Sequence, residues 1–273
     1  MQKNSKFSRL LHFPLTKIVI GLLSIALVTS VVQLGAQAIM KTTGLHEDFQ
    51  GLIGAVFTAA AALASYIYIF KFYEKRKIEE LSLKYFWRNS IAGSLTGFLI
   101  LTFVILVMYL RKGYTILAIN PVLFLLPALA LGIVSGIFEE ILFRGIIFRI
   151  TEERLGSVWA LVISSSFFGI AHLANQNATV FSAIAITIEA GLLLGSAYIY
   201  SRNLWLPIFI HFAWNFSEGG VYGAIISGGG MKKSLISAKF SGSDLLTGGA
   251  FGPENSLQAV ILGLIAALVF LWL

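Results

Sequence analysis

The sequence predicts an all-α, polytopic membrane protein, a bundle of about eight transmembrane helices. Composition is the first reason. The 273 residues are 57% hydrophobic and only 12% charged, with a mean hydropathy of +0.85. A soluble domain carries about 25% charged residues, and half that density cannot coat a globule of this size with polar side chains. Length is the second reason. Uncharged apolar runs at 18–40, 51–70 and 91–110 each reach 20 residues or more, enough to span about 30 Å of hydrocarbon at 1.5 Å per residue. Glycine spacing is the third. The pairs Gly93/Gly97, Gly132/Gly136 and Gly191/Gly195 let helix backbones approach closely and predict packing seams inside one bundle. The same apolar content excludes disorder.

In chain order, residues 1–17 form a basic segment (Lys3, Lys6, Arg9, Lys17) expected on the cytoplasmic side. Residues 18–120 hold three transmembrane helices. The first has signal-peptide-like flanks, with Ala36-Gln37-Ala38 after its apolar run, but it exceeds a usual signal core and is expected to stay as an anchor. Residues 121–273 supply the remaining spans, at 121–150, 157–173, 179–201, 203–217 and 257–273. Between the last two, 218–256 is a long connection marked as irregular by Gly228-Gly229-Gly230 and Gly248-Gly249. It is either a mobile loop or one that folds over a cavity. With the N-terminus inside, cytoplasmic segments hold thirteen Lys and Arg against six outside, which places both termini in the cytoplasm. The net charge of +7 therefore belongs to loops facing lipid headgroups, and no nucleic-acid partner is expected. The absence of cysteine excludes disulfides, thiol catalysis and cysteine-based metal sites.

Ionisable residues inside spans are expensive and are functional candidates by default. They concentrate in 121–217. Glu140 and Arg144 are four residues apart and share a helix face; Glu139 points about 100° away, toward a cavity where a carboxylate can serve as general base. His172 lies four residues after Phe168. His211 and Asn215 share another face and can both donate hydrogen bonds to an oxyanion. Counted from the cytoplasmic helix ends, these groups lie about 12–22 Å deep, in one slab. Each also has a plainer account: a buried ion pair, a core histidine, or polar glue between helices. Taken together they suit hydrolysis of an acyl bond, with Glu139 and His172 activating water and His211 and Asn215 holding the oxyanion. A zinc version would use Glu139, His172 and His211, although no H-E-x-x-H helix is present. Glu189 is a further intramembrane acid to which the sequence assigns no partner.

The patterns Glu139-Glu140-x-x-x-Arg144, Phe168-x-x-x-His172 and His211-x-x-x-Asn215 resemble, in order and rough spacing, the motifs of the CPBP family of CAAX proteases and bacteriocin-processing (Abi) proteins. The stretch from Gly191 to Asn215, and Phe251-Gly252-Pro253-Glu254, add to the likeness, which covers about 121–256. The resemblance implies a helical intramembrane endopeptidase of the bacterial cytoplasmic membrane. It implies Glu139 and His172 as the water-activating pair and His211 and Asn215 as the oxyanion hole. It also implies a peptide or protein substrate that is lipidated in some relatives. It leaves glutamate-dependent and metal-dependent mechanisms open, the glutamate one being favoured. Two rivals stand beside it: a non-catalytic immunity or peptide-binding protein, and a proton-coupled transporter, against which the lack of an evident internal repeat argues.

Overall fold

In the computed structural model, which describes residues 10–273, the chain is a helical bundle with one small sheet. Lys3, Lys6 and Arg9 of the basic N-terminal segment lie outside the described residues. Among the described residues, five helical segments are long and apolar enough to cross a membrane: Pro14–Met40, Glu47–Tyr73, Leu83–Leu110, Val122–Ala174 and Val180–Ser201. Within them lie α1 (Pro14–Met40), α2 (Glu47–Tyr73), α3 (Phe86–Leu110), α4 (Leu126–Glu140) and α5 (Arg149–Ala171). Next come α6 (Val180–Ile186) and α7 (Leu193–Ser201). The shorter rods are α8 (Trp205–Asn215) and α10 (Leu257–Trp272), with α9 (Asp244–Thr247) a single turn between them. The fourth long segment breaks at Gly156, whose φ of 79° is left-handed. Glycine takes that conformation without a Cβ clash, so the chain reverses there and delivers two antiparallel rods.

Local chemistry sets the ends. Pro14 opens α1, where its missing N–H costs nothing. The His46 ring accepts from the Asp48 N–H at the start of α2. Thr179 and Ser182 form a reciprocal capping box on α6, and Ser256 caps α10.

Three rods are locally widened into π-helix: Ile141–Phe148 after α4, Thr187–Leu192 between α6 and α7, and Phe216–Val221 after α8. The last corrects one expected boundary. Residues 218–221 continue a helix, so the irregular connection begins at 222. That connection also contains structure the sequence did not announce. Its strand β2 (Ile236–Phe240) pairs antiparallel with β1 (Tyr114–Ile119), with a bulge between Ile116 and Ala118.

The glycine pairs are seams within one bundle. A Cβ on Gly93 would lie 2.6 Å from the Leu206 carbonyl oxygen, and one on Gly136 would lie 2.9 Å from that of Ile208. Gly97 and Gly132 press on the same rod at Ile210 and Phe212. Thus α8 is gripped by α3 and by α4 at van der Waals distance, and its inward side chains have little freedom. Gly191 and Gly195 meet Ser165 and Leu161 of α5.

At the opposite end of α4 from Pro127, an ion network ties the bundle together. Glu74 receives Lys17 at 3.0 Å, Arg76 at 2.9 Å and Arg149 at 2.9 Å. Arg76 also reaches Glu80 at 2.5 Å. The buried Tyr66 hydroxyl bonds Glu80 and the Gly145 carbonyl.

Candidate active site

Glu140 and Arg144 sit where α4 passes into its π segment. Both are fully buried, and Arg144 Nη1 donates to Glu140 Oε1 at 2.7 Å. Arg144 Nη2 donates to the Gly191 carbonyl at 3.0 Å, a backbone approach that Gly191 makes possible. The guanidinium lies over the Phe168 ring, 4.7 Å from its centroid, a favourable cation–π position. His211 joins this group from α8, with Nδ1 3.0 Å from Glu140 Oε1. An ionised carboxylate can only accept, so Nδ1 carries the proton. One carboxylate thus fixes both an arginine and a histidine.

His172 lies at the very end of its span. It caps α5 at the turn into 172–174, because the polar run Asn175-Gln176-Asn177 follows, with Asn177 in a left-handed conformation. Its Nδ1 donates to the Phe168 carbonyl at 2.7 Å, so Nε2 is the ring nitrogen not committed to the helix. Asn215 donates from Nδ2 to Ser135 Oγ at 2.9 Å. Ser135 was missed from the sequence. The signal was there: it precedes Glu139 by four residues on α4, which puts both on one face.

A cavity of about 290 Å³ collects these groups. Its lining includes Ser135 and Glu139 from α4, Phe168 and His172 from α5 and its terminal turn, and His211 and Asn215 from α8. Glu140 and Arg144 are not part of the lining; they stand behind it. Residues of the Gly-rich connection, among them Ser227 and Met231, close one side. Glu189 and Glu254 also line it, and Glu189 has Glu254 and Glu218 as its charged neighbours. Oε2 of Glu139 is buried with no hydrogen-bond partner among the described residues. Among the described residues no three His, Cys, Asp or Glu side chains gather so as to hold a metal ion.

Residues 121–217 match the family model described as type II CAAX prenyl endopeptidase Rce1-like. Over that segment the resemblance to the CAAX-protease family holds. The matched stretch runs from the start of α4's rod through Asn215 and contains every polar side chain from α4, α5 and α8 described above. A curated relative, "Putative membrane peptidase YdiL" of Bacillus subtilis (strain 168), is 36% identical over 86 residues, 31% of this chain and 32% of the relative. The chain thus matches about a third of that relative's length. No solved structure matches the chain. It is an integral membrane protein with a CAAX-protease-like segment.

Proposed function

We propose that the protein is an intramembrane endopeptidase of the CAAX-protease type. The observation that carries the proposal is the convergence of Glu139, His172, His211 and Asn215, from three rods, on one cavity. The chemistry follows from what each atom has to offer. A water in the cavity gives one proton to the Glu139 carboxylate and points the other at His172 Nε2, which turns its lone pair toward the substrate carbonyl. As the C–O bond forms, the carbonyl oxygen becomes an oxyanion. Doubly protonated His211 donates to Glu140 from Nδ1 and to the oxyanion from Nε2, and Asn215 donates its remaining N–H. Collapse breaks the C–N bond, and Glu139 returns its proton to the departing amine. Water and an amide become a carboxylic acid and an amine, with no covalent enzyme intermediate. Glu140 and Arg144 touch no reacting atom; they hold His211.

The substrate in this reading is a peptide or protein segment at the membrane, lipidated in one variant of the proposal. Both termini face the cytoplasm of a bacterial cell, which puts the connection 222–256 outside. The test uses purified protein in neutral detergent and a quenched peptide library, half of it lipidated at a cysteine near the C-terminus. Glu139→Gln lowers cleavage by about 10²–10⁴-fold, His172→Ala lowers it comparably, and chelator leaves it unchanged. Unaltered cleavage by folded Glu139→Gln sinks the mechanism.

A further inference from the structure

Part of the cavity wall belongs to groups that hydrolysis does not use. Glu189, from the π segment between α6 and α7, and Glu254, from the turn before α10, both line it. Glu218, from the π segment after α8, is close enough that the three carboxyls feel one another's charge. Glu189 is wholly buried, and neither of its oxygens has a hydrogen-bond partner among the described residues. Glu218 is wholly buried as well, with the side chains of Trp214 and Glu254 beside its carboxyl. Glu254 accepts from Ser227 N–H at 2.8 Å and Ser227 Oγ–H at 2.6 Å, both through Oε2. The lining includes Glu139, Glu189 and Glu254 but neither lysine nor arginine, in a chain whose net charge is +7.

A buried carboxyl without a hydrogen-bond partner is costly even when it carries its proton, and a cationic donor from outside would offset that cost. A bare metal ion does not fit, since no three such side chains among the described residues gather to hold one. An organic cation is larger. An ammonium carries three donors and a guanidinium five, enough to bridge carboxylates that are too far apart to chelate. The wall is also closely backed. A Cβ on Gly263 of α10 would lie 2.5 Å from the Glu189 carbonyl oxygen, so α10 abuts the backbone that carries Glu189.

We propose that the Glu189–Glu254 wall is a subsite for the cationic side chain of a lysine or arginine in the bound peptide. This deepens the peptidase reading and rests on it only for the ligand being a peptide. The side chain donates to Glu189 and to Oε1 of Glu254.

The test is fluorescence anisotropy in neutral detergent. It uses labelled alanine/leucine peptides carrying one central lysine or, in its place, norleucine. The wild type binds the lysine peptide about tenfold more tightly, the scale of one desolvated charge pair. The ratio falls toward one in Glu189→Gln and in Glu254→Gln, two variants of nearly unchanged shape. Equal binding, or no binding, of the two peptides by the wild type overturns the proposal, as does a ratio that survives in both variants. Cleavage of the same peptides is followed in parallel. A lysine preference without any cleavage retires the peptidase reading and leaves the subsite standing.

Discussion

Gly93→Ala tests the claim that the grip on α8 sets the site. Its new Cβ would lie 2.6 Å from the Leu206 carbonyl oxygen, 3.0 Å from Phe209 Cβ and 3.1 Å from the Ile210 nitrogen. Two of these atoms are backbone and have no rotamer to yield. Ordinary contact begins at 3.4 Å, so α8 must retreat by about 0.8 Å. Overpacking of this kind costs about 1–3 kcal/mol, against which alanine's better helix preference returns about 1 kcal/mol. The larger effect is on rate. His211 follows Ile210 on the displaced rod, and misplacing a catalytic group by about 1 Å costs about 10²-fold. Gly54→Ala is the control, because nothing lies within 4 Å of its new Cβ; it is neutral or stabilising by up to about 1 kcal/mol. Thermal melts and cleavage rates in detergent are compared for the two variants. Wild-type cleavage by Gly93→Ala would refute the argument that helix contact positions His211.

Arg144→Met leaves buried Glu140 with His211 as its one remaining side-chain partner among the described residues and lowers stability by about 3–5 kcal/mol; adding Glu140→Gln recovers part of the loss, and a double variant no more stable than the single one would count against the pair. Ser135→Ala removes the acceptor that orients Asn215, worth about 1 kcal/mol, so kcat falls about fivefold while KM and the melting temperature move little. Burial pushes the Glu74 carboxyl up, but Arg149, Lys17 and Arg76 outweigh burial and hold it below the usual carboxylate range. A pKa depressed on folding stabilises above the unfolded value, about 4.3, and that contribution is lost as pH falls through the folded value. Melting temperature should therefore drop more steeply below about pH 5 in the wild type than in Glu74→Gln, and parallel curves would contradict the network's role.

Residue order along the chain determined a good deal. Charge-free runs determined the rods, since a helix satisfies its own backbone in lipid and needs no partner to do so. The Glu140–Arg144 pair and the facing of Glu139 followed from helical spacing alone, because both are distances within one turn of one element. The small-residue seams were legible as pairs, though not their partners. What lay beyond reach is everything that depends on how rods cross. Ser135 meets Asn215 from 80 positions away, and His211 Nδ1 meets Glu140 from 71 positions away. Glu189 acquired neighbours only when α10 and the turn before it folded against its rod. The β1–β2 pairing joins segments more than a hundred residues apart, where neither strand's own pattern names the other. Local geometry is written in spacing, which the sequence carries directly. Contacts between rods depend on crossing angle, depth and rotation, and these are settled by the summed packing of many side chains, so only the tertiary structure decided them.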